Sequence, residues 1–519
     1  MDRYGAGLAV DSRHRPELGA TVANQRVDPA NRHLFWLVAC TILAILVQTY
    51  AGATLRGLYG DGAWAVATTY EFRGVVLTEP GRWMSMIMQQ LPVVAALGLG
   101  VRTLNGAALV YSLTTNVLPG LMILLCLPAL AQGDRHYFVF PAFVYFAGIL
   151  SAQFASVVEG LVATAYFWLL LCLIASGRLT ALRSMLILML AVGSINLNEQ
   201  MVFLGPILLV SCAMRWREQQ RRRVPRVLLS LTFLCVVVGT VIGGLHTLLP
   251  RDAGERGGFA RELLMLHWIR MPGGDYNLVA ILGILAALAI LVVMLRPQWE
   301  THAVVIFAVL SIPLSLAAFW VDWLVCPYTH FAARYNSGLM SLPLGALFLV
   351  ARGRASVALS TTGRSVRAIV VLLGLTASLW HVTATERWSA FLGHFATVLR
   401  SQHGIIAWDS VLAPPGSRNS VLGPMMVWAW TNPIMSVVAL PRFCVSSIVD
   451  DPSSVPKESK VYDVANIKTM TAFPNVKYTY LLPPDEQAAA CAAPTAIQPE
   501  ASHDDNEDFP IIFRLHPIN

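Results

Sequence analysis

The residues able to do chemistry in this chain are few and fall mostly between apolar runs. Gly60-Asp61-Gly62-Ala63-Trp64 follows the first such run by about ten residues. It reads either as an Asp-Gly turn, since both types form turns, or as a working carboxylate. Glu71 and Arg73 come next. They read as a second acidic or phosphate-contacting point, or as an interfacial ion pair of little energetic weight. Asn196-Leu197-Asn198-Glu199-Gln200 separates two short apolar runs. Polar groups at such depth are costly unless they pair or line a cavity, so Glu199 is a candidate, with Glu159 in a similar setting. Further along lies Tyr328-Thr329-His330-Phe331-Ala332-Ala333-Arg334-Tyr335. A guanidinium binds phosphate oxygens in pairs and stays charged, which suits Arg334, although Arg at such a place also snorkels. The loop at 250–275 carries Arg251, Arg256, Arg261, His267 and Arg270. It reads as an interfacial helix that meets anionic lipid or a phosphate headgroup, or as a solvated face.

These residues need a scaffold, and composition says which kind. Hydrophobic residues make up 56% of the 519 and charged residues 13%. Soluble domains hold about a quarter charged residues, so this balance points to a bilayer. The net charge of +7 is mostly Arg. In a membrane protein, Arg sets orientation rather than binding nucleic acid. The stretch before the first apolar run is polar, with Arg3, Arg13, Arg15, Arg26 and Arg32. It contains no apolar run with a cleavage site, so the first span acts as an uncleaved anchor. Apolar runs at 34–51, 104–131, 138–158, 160–177, 184–198, 200–214, 227–249, 276–295, 302–321, 336–352 and 367–384 read as about eleven transmembrane helices.

The segment 83–101 is also apolar enough to span. Counting it would place the arginine-rich loop 215–226 outside, against the positive-inside rule. Gln89, Gln90 and Pro92 in its middle also suit a helix that lies in the outer leaflet or re-enters it. The expected fold is therefore an all-α polytopic membrane protein with a small mixed α/β extracytoplasmic domain. Its parts are a cytoplasmic arm (1–33), a membrane domain (34–384) with a long first outer loop (52–103), and an outer domain (385–519). That outer domain opens on a helical stretch at 385–402, followed by strand-like runs at 404–408, 425–430, 436–440 and 446–449. From about 484 it turns Ala-, Pro- and acid-rich, which reads as a mobile tail. Cys444 and Cys491 both lie in the outer domain, where an oxidising compartment would allow them to form a disulfide. No Cys/His spacing resembles a zinc site, and no Gly-rich nucleotide loop, metalloprotease His pair or nucleophile elbow occurs.

The cytoplasmic start, the acid early in a long first outer loop, the interfacial helices after it, about eleven spans and an outer C-terminal domain together resemble the GT-C superfamily. Its members are glycosyltransferases that use polyprenyl-phosphate sugars. The paired acids of some members are absent, since Gly62 follows Asp61. The resemblance implies a sugar donor on polyprenyl phosphate and a glycan, lipid or protein acceptor outside the cytoplasm. It implies Asp61 as the base that activates or positions the acceptor hydroxyl. Arg334, and with it Arg270, would hold the departing phosphate, with His330 and Tyr335 beside them. Glu71, Arg73 and Glu199 would contact substrate, and Trp64, Tyr70 and Trp83 would stack on sugar or isoprenoid. It implies no fixed cofactor and leaves room for a divalent cation. Two other classes stay open: a transporter or flippase, and a polysaccharide polymerase or assembly protein of the envelope.

Overall fold

In the computed structural model, residues 29–59, 61–77, 80–153, 159–219, 223–248, 278–320, 331–353, 358–401, 405–407, 435–436, 447–449 and 511–514 are described. Helix dominates them. In chain order the elements are α1 (Pro29–Ala53), α2 (Asp61–Phe72), β1 (Gly74–Leu77), α3 (Trp83–Gly98) and α4 (Leu104–Ala129). Then come α5 (Val139–Val144), a π-helical turn (Tyr145–Ile149), α6 (Leu150–Ala152), α7 (Glu159–Ala175), α8 (Ala181–Gly193), α9 (Met201–Glu218) and α10 (Arg223–Leu248). The series ends with α11 (Leu278–Leu295), α12 (Glu300–Trp320), α13 (Phe331–Gly353) and α14 (Ala358–Ser401), followed by β2 (Ile405–Ala407), β3 (Ser447–Val449) and β4 (Ile511–Arg514).

The bundle has an apolar interior, as a water-soluble one does, but its outer surface is apolar as well. Phe35 is 63% exposed and Leu182 82%, and Trp36, Met189 and Val309 also face outward. Gln48, Gln90, Thr164, Gln200 and His381 are buried. Among the described residues, four helical stretches are long and apolar enough to cross a membrane: Leu34–Ala53, Leu104–Ala129, Arg223–Thr247 and Gly363–Ser401. Twenty helical residues reach about 30 Å, the thickness of a bilayer core. Shorter apolar helices include Glu159–Ala175 and Ala181–Gly193. Prolines inside α3, α4, α9, α12 and α13 are tolerated where neighbouring helices satisfy freed backbone groups. The described residues thus form a helical protein that fits a membrane.

The helix ends gather in two layers. At one end, Ala131 N donates to Ser176 Oγ (2.7 Å), whose hydroxyl donates to Asp134 (2.6 Å). Arg183 reaches Ala129 O at 2.6 Å, Arg215 reaches Gly177 O, and Arg352 lies 3.8 Å from Asp134. We call this the basic end. The opposite loop end holds the first loop and the 194–200 turn. That assignment follows from the chain itself. Helices α8 and α9 carry Arg183 and Arg215 at the basic end, so the turn between them lies at the other. Helix α4 finishes beside Arg183, so its start at Leu104 lies there too.

Helix α3 touches the loop end twice. Its first residues meet the 194–200 turn: Met84 N donates to Asn196 O (2.9 Å), and Ser85 Oγ to Leu197 O (2.8 Å). Beyond its last turn, Arg102 O accepts from Tyr70 Oη (2.7 Å), next to the start of α4. The helix therefore leaves and returns at one end of the bundle without crossing it.

Helix α14 runs unbroken from Ala358 to Ser401, through the boundary expected near 384. Its second half packs onto the first loop, with Trp388 Nε1 donating to Thr54 O at 3.0 Å. Beyond it, β2 and β3 pair in parallel within two of the expected strand runs. The run at 425–430, Cys444, Cys491 and the stretch from 484 to 510 lie outside the described residues.

Candidate functional site

Backbone geometry at the end of α1 sets up the loop end. Leu55 adopts a left-handed backbone, with φ 62 and ψ 25 in degrees. That region costs a bulky residue on the order of 1–2 kcal/mol. The Leu55 N–H donates to Gly52 O, and its carbonyl accepts from Leu58 N, each at 3.0 Å. This turn sends Arg56 inward, where it is 2% exposed. Arg56 Nη1 donates to Thr385 Oγ1 (2.8 Å), and Nη2 to Gln48 Oε1 (3.1 Å) and His381 Nδ1 (2.8 Å).

A guanidinium can only donate, so Nδ1 must offer a lone pair. The His381 proton therefore sits on Nε2, which donates to Leu150 O at 2.7 Å. His381 is neutral with a fixed tautomer. Burial pulls the Arg56 pKa down to about 9, so the group is still charged at neutral pH. One network thereby ties α1, α6 and α14 to the start of the first loop.

Two glycines press this loop against α4, and a third lets it fold against itself. A Cβ at Gly52 would lie 2.8 Å from Leu113 Cα, and one at Gly57 2.6 Å from Ser112 Cα. At Gly62 it would overlap Gly57 O. Asp61 opens α2, the Gly62 N–H donates to Tyr59 O at 3.3 Å, and Gly62 is small because a backbone carbonyl lies against it. The Asp61 and Glu71 side chains lie outside the described residues. Trp64 is half-buried in α2. Arg73 is exposed, adopts a positive φ, and stacks over Tyr70 at 5.6 Å, at the bend between α2 and β1.

On the far side of the first loop, Arg82 Nε and Glu199 Oε1 form an ion pair at 2.6 Å, with side chains 14% and 12% exposed. The short Pro80–Arg82 helical turn also abuts α10, where a Cβ at Gly81 would lie 2.9 Å from the His246 ring. Beside Glu199, Gln200 Oε1 accepts from Thr164 Oγ1 (2.9 Å), and Thr164 shares a 2.9 Å hydrogen bond with Ser337 of α13. A Cβ at Gly338 would lie 2.5 Å from Gln200 Oε1. Arg334 and Tyr335 occupy the first turn of α13, one turn before Gly338, and their side chains lie outside the described residues. His330 and Arg270 lie outside them altogether. Glu159 is half-buried as the first residue of α7.

Of the residues expected from sequence, the structure brings Glu199 to the first loop. The residues it adds are Arg82, Arg56, His381 and Gln90. Arg82 had a signal in Pro80-Gly81-Arg82-Trp83, a lone cation after a helix-starting turn. Arg56 had none, because an Arg just past a span ordinarily reads as snorkelling. Among the described residues, no group of three or more His, Cys, Asp or Glu side chains could hold a metal ion.

No protein family, no curated protein and no solved structure matches the chain.

Proposed function

We propose that the chain is an integral membrane glycosyltransferase of the GT-C type. It moves a sugar from a polyprenyl-phosphate donor to a glycan, lipid or protein acceptor outside the cytoplasm. The observation that carries this reading is the first loop. It is a folded unit in which Asp61 opens a helix packed against α4, and the same loop is clamped to the 194–200 turn through Arg82 and Glu199. An enzyme whose two substrates meet at the membrane surface needs such a preorganised floor. The basic end, with Arg183, Arg215 and Arg352, faces the cytoplasm under the positive-inside rule, which turns the loop end outward.

In this reading Asp61 accepts the proton of the acceptor hydroxyl as its oxygen bonds to the anomeric carbon. The bond from that carbon to the phosphate oxygen breaks, and the electron pair leaves with the prenyl phosphate. Arg334 and Arg270 receive the new charge, since a guanidinium matches phosphate oxygens in pairs. Glu199 positions acceptor hydroxyls from a turn that Arg82 holds in place. Trp64 stacks on the sugar.

The test is Asp61→Asn, with Asp61→Glu as partner, each expressed to the normal level and assayed for envelope glycan. Loss of a general base costs about 10²–10⁴-fold in rate, with partial retention in the Glu variant. Unchanged glycan with Asp61→Asn would remove the catalytic role.

A further inference from the structure

Strand β1 is four residues long and buried throughout. Both of its edges are occupied, by unlike things. On one edge Gln90 of α3 acts as a substitute strand: its Oε1 accepts from Val76 N (2.7 Å), and its Nε2 donates to Val76 O (3.0 Å). The same Oε1 accepts from Thr69 Oγ1 of α2 (3.0 Å), so α2, β1 and α3 meet on one amide. On the other edge runs β4, antiparallel, with Val75 opposite Phe513, Val76 opposite Ile512 and Leu77 opposite Ile511.

The two occupants can be separated residue by residue. Along a strand, successive residues point their backbone groups to opposite edges. Val76 spends both of its groups on Gln90. Val75 and Leu77 therefore face β4 and form the hydrogen-bonded pairs with Phe513 and Ile511. Val76 and Ile512 form the intervening non-bonded pair, in which Cα atoms come closest.

We propose that Ile511–Arg514 is a detachable strap that clamps the first loop. It closes the edge of β1 that Gln90 leaves open, and so ties the chain beyond Ser401 to the helix that Asp61 opens. A four-residue pairing is short enough that backbone entropy nearly cancels its ladder bonds. Such a contact sits at the low-stability end of a fold and opens locally. Released, it leaves an unpaired edge, the kind of surface that takes up an extended strand. This inference stands apart from the transferase reading and needs no activity assay.

Two measurements on the full chain in detergent test it. The first introduces Val76→Cys and Ile512→Cys together and oxidises with copper phenanthroline. The expected product is an intrachain disulfide, read by peptide mass. A linkage only between two chains, or none, would overturn the proposal. The second deletes residues 511–519 and follows residue-resolved hydrogen exchange. The Val75 and Leu77 amides should exchange at least about tenfold faster, while Val76, held by Gln90, stays unchanged. Gln90→Ala should do the reverse, exposing Val76 and leaving the disulfide intact. If deletion leaves Val75 and Leu77 as protected as before, the strap does not hold that edge.

Discussion

The two ends of the bundle use arginine in different ways. At the basic end, Arg183 donates to the carbonyls of Ala129 (2.6 Å) and Leu173 (2.9 Å), and Arg215 to that of Gly177. These carbonyls belong to helix ends and the residues just beyond them, where oxygens lack a partner within the helix. At the loop end, Arg56 is held by side chains of Gln48, His381 and Thr385, and Arg82 by Glu199. Capping a carbonyl is a generic task that many donors perform. Fitting a fork of donors to side chains on remote helices demands one arrangement. The basic end also has side-chain pairs, Arg215 with Glu218 and Arg352 with Asp134, but carbonyl capping by Arg183 and Arg215 is its distinguishing use of arginine, whereas the loop end relies on side-chain partners on remote elements.

That contrast should show first in Arg56. Arg56→Ala strips a buried guanidinium from α1 and α14, leaves their buried acceptors unpaired, and should cost about 2–4 kcal/mol, read as thermal unfolding in micelles. Arg56→Lys should recover little, because a point charge cannot replace the fork. Arg183→Lys, in contrast, should keep most of its stability. If Lys serves equally well at both positions, the distinction between the two ends fails.

A smaller effect is expected at the clamp. A double-mutant cycle of Arg82→Ala and Glu199→Ala should return a coupling of about 1–3 kcal/mol. The charge-reversed pair, Arg82→Glu with Glu199→Arg, should regain part of it. Additive single effects would mean the two side chains are neighbours without being a clamp.

The smallest effect belongs to the basic end. Burial holds the His136 pKa below its ordinary value, against opposing help from the Gly133 backbone and Asp134. Between that lowered value and about 6.5, the unfolded chain binds the proton more readily than the folded one. Stability should therefore fall as pH drops through this interval, and His136→Gln should flatten the slope. Melting curves at stepped pH measure it.

Part of this was legible in the chain. Apolar runs about twenty residues long marked the main helices, because a bilayer leaves few other ways to satisfy a backbone. Gln89, Gln90 and Pro92 spoke against α3 as a span, and α3 indeed starts and ends at one end of the bundle. Glu199 was visible as a costly polar residue between apolar runs. The Arg56 network was not, since two of its partners, His381 and Thr385, lie 325 and 329 residues away and no local pattern announces them. Nor was the role of Gln90, because an amide that completes a strand edge looks in sequence like any polar break. The span expected at 367–384 and the helix expected at 385–402 are one continuous helix, α14. Trp388 and Phe391 carry the same helix onward by packing inward.

The central claim is that the loop end faces away from the cytoplasm. Arg73 is exposed at that end and Arg217 at the other, so each can be replaced by Cys and probed with a membrane-impermeant maleimide on cells stripped of any outer barrier. Labelling of Arg73→Cys at once, and of Arg217→Cys only after permeabilisation, is the predicted result. The opposite pattern would put Asp61 on the cytoplasmic side and contradict the account.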